Sequence, residues 1–276
     1  MSAADSRLLH VGGLVAEVGG QGPPLLLVHG LGSARTAWRP VVPALREHFT
    51  TITVDLPGHG DALDRVGVGA SVLLPSQHAD ALTPLLEDFG GAVHVVGNSM
   101  GGWVGLELAS RGQALSLTAL CPAGLARHPW TQRNSLLNAR KRLATVLGPV
   151  APPLTRLIAS TPGLRSIVFD GASADLPSLD VSLLTDAATA MAKSRSFDRS
   201  HDGMLGSVFE RGSDIDADVP VTIVWGDVDP LIPFDDQNRD LVPGHARWIV
   251  FEACAHVPMW DQPQRTIDVI TETALN

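Results

Sequence analysis

The sequence predicts an α/β protein, a mostly parallel sheet with helices on both faces that is interrupted late in the chain by an inserted helical segment. Three observations carry this. Short unbroken apolar runs alternate with stretches of helical period, as strands buried on both faces of a parallel sheet do. The alternation stops near residue 125, where helical periodicity broken by Pro149, Pro152, Pro153, Pro162 and Pro177 takes over, and it resumes at Val219. The chain is 276 residues long and 45% hydrophobic, which suffices for one large core.

Residues 8–18 alternate apolar and polar around Gly12-Gly13, as an antiparallel edge hairpin does. After Pro23-Pro24 comes the apolar run 25–28, a buried strand ending in His29-Gly30-Leu31-Gly32, and a helix is expected over residues 36–48, with Trp38, Val41, Val42 and Leu45 on one face. A strand at 51–54 turns out through Asp55-Leu56-Pro57-Gly58-His59-Gly60, an irregular loop covers 61–74, and a helix over 77–89 stops at Gly90-Gly91. Residues 93–96 form a strand that meets Gly97-Asn98-Ser99-Met100-Gly101-Gly102 and then a helix, and another strand spans 115–120. Helices at 135–147 and 183–192 belong to the inserted segment. Strands at 221–225 and 248–251, a helix around 235–241 and an amphipathic helix over 266–275 complete the chain. The sequence thus divides into a core of residues 1–124 and 213–276 and a helical lid of residues 125–212.

Composition narrows the function. A formal charge of −9 argues against nucleic acid and anionic membrane as partners, since basic patches bind both. No run reaches the length of a membrane span or a signal sequence, so a cytoplasmic location is expected. Cys121 and Cys254 form neither a disulfide framework nor a metal-site spacing, and the histidines are scattered, so no metal or cofactor is expected. The inserted segment carries four more basic than acidic residues although the whole chain is acidic.

The chemistry centres on Ser99. A serine at the apex of a sharp strand-to-helix turn, with Gly97 and Gly101 two positions to either side, fits the nucleophile-elbow pattern in the context that gives it meaning. A serine hydroxyl needs a base to act at neutral pH, and the base needs a carboxylate to hold its tautomer. Asp227 and Asp229 follow the strand at 221–225, and His256 follows the strand at 248–251, where open α/β sheets place their sites. The order Ser, Asp, His is then complete, with two carboxylates competing for the middle place.

With these motifs, Trp225-Gly226-Asp227-Val228-Asp229 and Ala255-His256-Val257-Pro258 included, the chain resembles the α/β-hydrolase fold superfamily along nearly its whole length outside the insertion. The resemblance implies an eight-stranded-type sheet, Asp229 as the triad acid, and the backbone amides of Leu31 and Met100 as the oxyanion hole. It also implies a loop-supporting role for His29, while His59 in its Pro-Gly-His-Gly turn reads as structural. The function expected is a serine hydrolase cleaving a carboxylic ester or similar acyl bond of a small apolar molecule through an acyl-enzyme. Carbon–carbon bond hydrolysis of a ring-fission product is an alternative, but Val257 stands where those enzymes usually carry tryptophan. Cofactor-free haloperoxidase or perhydrolase chemistry, and a non-catalytic ligand receptor on the same fold, are the others.

Overall fold

The computed structural model describes residues 6–66, 69–132, 134–147 and 151–275. Pro149, one of the helix breaks read from the sequence, and the first five residues lie outside them. Eight strands form one sheet in the order β1-β2-β4-β3-β5-β6-β7-β8. The hairpin of β1 (Ser6–Val11) and β2 (Leu14–Gly20) enters antiparallel, and β2 pairs antiparallel with β4 (Thr50–Asp55). From β4 onward every pairing is parallel, through β3 (Pro24–Val28), β5 (Val93–Asn98), β6 (Ala114–Leu120), β7 (Val221–Gly226) and β8 (Arg247–Phe251).

Alternate residues of the central strands feed two apolar layers. Leu26 and Val28 of β3 belong to one, with Leu82, Leu85 and Leu86 of α2 (Pro75–Glu87) and Val104 and Leu108 of α3 (Met100–Ala109). Leu25 and Leu27 face the other, with Trp38, Leu45 of the short helix α1 (Val42–Leu45), and Ile267 and Ile270 from the chain's last helix. Helix α3 is buried along its whole length, so it lacks the polar stripe of a surface helix.

Two expected helices come out differently. Residues 36–48 form a 3-10 turn, Arg35–Trp38, followed by α1, because Pro40 and Pro43 each remove a backbone donor from what would be one helix. Around 235–241 there are two 3-10 turns, Phe234–Asp236 and Arg239–Leu241, separated by Asn238, whose side chain accepts from Asp240 N and starts the second turn.

Between β6 and β7 the chain forms α4 (Ser135–Leu147), α5 (Ala151–Ser160), α6 (Pro162–Phe169), α7 (Val181–Lys193) and α8 (Phe197–Met204). The Arg165 guanidinium in α6 knits this segment together, donating to the carbonyls of Ala159, Leu176, Pro177 and Leu179. After β8, α9 (Pro258–Asp261) and α10 (Pro263–Leu275) close the chain. None of the described helices is long and apolar enough to cross a membrane.

Candidate active site

The turn between β5 and α3 is set by close approach. A methyl group added at Gly97 would collide with the carbonyl of Gly101, and one added at Gly101 would collide with the carbonyl of Val28 in the neighbouring strand. The chain can therefore reverse tightly enough to lift Ser99 above the sheet, where it takes φ 57° and ψ −119°. That strained backbone is held by hydrogen bonds on both sides: Ser99 N–H donates to Leu120 O at 2.9 Å, and Ser99 O accepts from Gly102 and Ala123.

The loop after β7 carries Asp229. Its carboxylate is wholly buried, and Oδ1 accepts from the backbone N–H groups of Leu231 (2.9 Å) and Ile232 (3.0 Å). The other oxygen, Oδ2, lies 2.7 Å from His256 Nδ1. Trp225 Nε1 donates to Ile232 O at 2.8 Å, so the indole of β7 fixes the same loop from below. Asp227 is exposed and is used locally, accepting from Cys254 N–H at 3.2 Å. With Nδ1 facing the carboxylate, Nε2 is the nitrogen His256 has left for a reacting group.

The His256 loop is anchored from two directions. Asn98, the residue before Ser99, donates through Nδ2 to His256 O at 3.0 Å and to Leu120 O at 3.1 Å, tying elbow and histidine loop together. Asp261 in α9 accepts from Ala255 N–H at 2.7 Å and from Ala174 N–H, and Val257 N–H donates to Ala172 O. The histidine loop therefore rests partly on residues between α6 and α7.

Ser99, Leu31 and His256 line two adjoining hollows, of about 180 and 240 Å³. The first is apolar, bounded by Ala37, Ile158, Phe169, Met191, Met259 and Trp260, with the Arg140 side chain also at its wall. The second is more polar, bounded by Trp130, Gln132, Asn134 and His201. Both hollows lie between the carboxyl ends of the strands and the helices α4 to α8. Neither the Leu31 nor the Met100 amide enters a hydrogen bond among the described residues.

A model of the alpha/beta hydrolase family matches residues 25–269. The chain belongs to that family. It is 27% identical to a pimeloyl-[acyl-carrier protein] methyl ester esterase of Aeromonas hydrophila, over 91% of this chain and 95% of the relative. It is 31% identical to the epoxide hydrolase EphH of Mycobacterium tuberculosis, over 70% of this chain and 91% of the relative. The solved meta-cleavage product hydrolase of Pseudomonas fluorescens shares the fold, with a TM-score of 0.69 at 20% identity, covering 97% of this chain and 96% of that one.

Other groups in this alpha/beta hydrolase fall outside the hollows. His29 is fully buried, accepts from Leu56 N–H through Nε2 and so presents Nδ1–H to Gly30 O at 2.7 Å, which leaves neither nitrogen for a substrate. His59 is buried against Pro57 O and Ser196 Oγ. Cys121 lies with Asp229 and His256 in a buried cluster whose donor atoms are within 4.8 Å of one another. Burial, and then the charge of Asp229, push its thiol well above the usual range. A protonated thiol beside a carboxylate already taken by two amides and an imidazole is a poor metal donor set. Asn98 and Asp261 are the positioning residues that sequence reading passed over. Asn98 stood inside the elbow motif, whereas nothing in the sequence links Asp261 to a loop six residues before it.

Proposed function

We propose that the protein is a serine esterase working through an acyl-enzyme, with Ser99 as nucleophile, His256 as general base and Asp229 as the group that orients it. The observation that carries this reading is the buried Asp229–His256 pair at 2.7 Å beside a strained elbow serine on one shared cleft. The ester-cleaving relative supports the same bond type.

The steps follow from the groups present. His256 Nε2 takes the Ser99 hydroxyl proton as Oγ attacks the ester carbonyl, and Asp229 stabilises the imidazolium that forms. The carbonyl oxygen becomes an oxyanion, and its proposed donors are the amides of Leu31, which lines the cleft, and of Met100, at the amino end of α3. Collapse breaks the bond to the alcohol, which leaves with the proton from His256. Water then enters, gives its proton to His256 and its hydroxyl to the acyl carbon, and the acid departs as Ser99 recovers its proton. Residues 125–212 act in this reading as a lid that shapes both hollows and donates none of the three reacting groups.

A fluorophosphonate tests the assignment. Labelling of Ser99, with loss of ester hydrolysis on labelling and in Ser99→Ala, is the expected result; an adduct elsewhere, or full activity in the alanine variant, overturns it. A parallel assay with a ring-fission substrate separates ester from carbon–carbon cleavage on the same machinery.

A further inference from the structure

The apolar hollow contains one group that its walls do not explain. Arg140, on α4, contributes to a lining otherwise made of aliphatic, aromatic and small residues together with Ser99, Asn98 and His256. Its Nε and Nη2 atoms are sealed from solvent and have no hydrogen-bond partner among the described residues. An arginine carries five N–H donors and stays charged, and leaving such donors dry and unmatched costs more than leaving them in water. The next residue contrasts with it: Lys141 is anchored, donating from Nζ to the carbonyls of Met191 and Ala192. No acidic side chain lines the hollow among the described residues. Asp170 acts on Arg140 only through space, and burial outweighs it, lowering the arginine's affinity for its proton. The hollow that holds the candidate nucleophile thus also holds an arginine with two donors unpaired among the described residues and no acidic side chain beside them.

We propose that Arg140 binds a carboxylate on the substrate, so that the esters this enzyme accepts carry a free carboxylate on an otherwise apolar chain. The assignment rests on the ester-hydrolase reading for the reaction, but not for the binding. Once the side chain turns its sealed Nε–Nη2 edge toward the hollow, that fork of donors matches a planar carboxylate in two parallel hydrogen bonds, and the apolar walls exclude the water that would compete for them. Selectivity follows from the same feature. A neutral chain end at this position leaves the half-buried arginine without an anion, and sites with committed polar groups reject such analogues strongly.

The test uses monoethyl esters of straight-chain alkanedioic acids of increasing length, each beside the matching ω-amide, which has the same shape without the charge. The wild-type enzyme is expected to prefer the acid member of at least one pair by about tenfold or more in kcat/KM, mostly through KM, equivalent to ~1.4 kcal/mol. Arg140→Gln and Arg140→Met should collapse that acid-to-amide ratio towards unity, and Arg140→Lys should keep part of it, with circular dichroism checking that each variant is folded. If one variant fails to fold, the others decide. No acid preference at any chain length, or a preference that survives in the folded glutamine variant, overturns the proposal. Calorimetric titration of Ser99→Ala, alone and combined with Arg140→Gln, with the same ester pairs separates the two readings. Arg140-dependent binding of the acid member without turnover or fluorophosphonate labelling in the wild type would sink the esterase reading and leave the anion site. Turnover and labelling without Arg140-dependent binding would do the reverse.

Discussion

Asp229 accepts three hydrogen bonds at once, two from backbone amides on one oxygen and one from an imidazole on the other. An amide in its place can keep the two backbone contacts through its oxygen but turns an NH2 toward Nδ1, which demands the opposite tautomer and puts the proton on the nitrogen proposed to accept from Ser99. Asp229→Asn is therefore expected to lose about 10⁴-fold in turnover while its melting temperature moves little. Asp227→Asn, at an exposed carboxylate that accepts one amide at 3.2 Å, should stay within about tenfold of wild type. Paired kcat measurements and thermal melts check both, and equal losses would mean that the two residues share the task. At this scale the sequence revealed residue types and chain order but left two carboxylates in contention. What separates them is the path of the loop: Trp225 Nε1 and Ile232 O pin a turn that sends Asp229 inward, a contact between residues seven apart that no local pattern announces. Arg140 was legible only as part of a basic excess in the insertion, because an unpaired charge is defined by what fails to surround it.

Three elements meet at a row of buried histidines. His29 follows β3, His59 follows β4 and His78 sits in α2, with ring centroids 5.3 Å apart for the first pair and 6.0 Å for the second. His78 Nε2 pairs with Ser200 Oγ of α8 at 3.0 Å, so the row also reaches the helical segment. Burial pulls all three below their ordinary value, His78 to about 3, and His29 further disfavours protonation of both His59 and His78. A base with a depressed folded-state pKa binds fewer protons folded than unfolded in the interval between its two pKa values. Its neutrality is thus no handicap above about pH 6.5, and stability declines as pH falls from there toward 3, by up to ~1.4 kcal/mol per pH unit for each ring inside its own interval. Urea midpoints should accordingly drop steeply between pH 6 and 4, and His78→Leu should flatten part of the slope; an unchanged slope in a folded variant would remove this ring as a cause. At the scale of elements the buried strands were readable because their apolar runs are long and unbroken. The proline-interrupted pieces at 35–45 and the helices α5, α6 and α8 were not. In the first case Pro40 and Pro43 split a convincing apolar face, and in the second α5 and α6 have prolines in their first turns and all three helices have too few turns for a period to show.

For the molecule as a whole, the parallel sheet offers one edge of carboxyl-terminal loops, and the helices between β6 and β7 stand over it. The order of strands, with crossovers on both sides of β3 and β5, places the Ser99, Asp229 and His256 loops along that edge although their positions in the chain are far apart. A body and a separable lid is the natural description, yet the hydrogen bonds contradict strict separability. Residues 171–174, just past α6, receive His256 N–H and Val257 N–H on two carbonyls and return Ala174 N–H to Asp261. Exchanging residues 125–212 for the corresponding stretch of another hydrolase should therefore lower kcat as well as change substrate preference, whereas a graft that retains 169–180 should change preference alone. Steady-state kinetics on the two chimeras, with labelling of Ser99 to count competent sites, distinguishes these outcomes, and identical kcat in both would restore the modular picture. With the proposed triad, the seam between what would recognise a substrate and what would transform it runs inside the insertion. For such a chain, new specificities should be reached more readily by changing α4, α5 and α7 in place than by recombining whole segments, because recombination breaks the backbone contacts under the His256 loop at the moment it gains a new cavity.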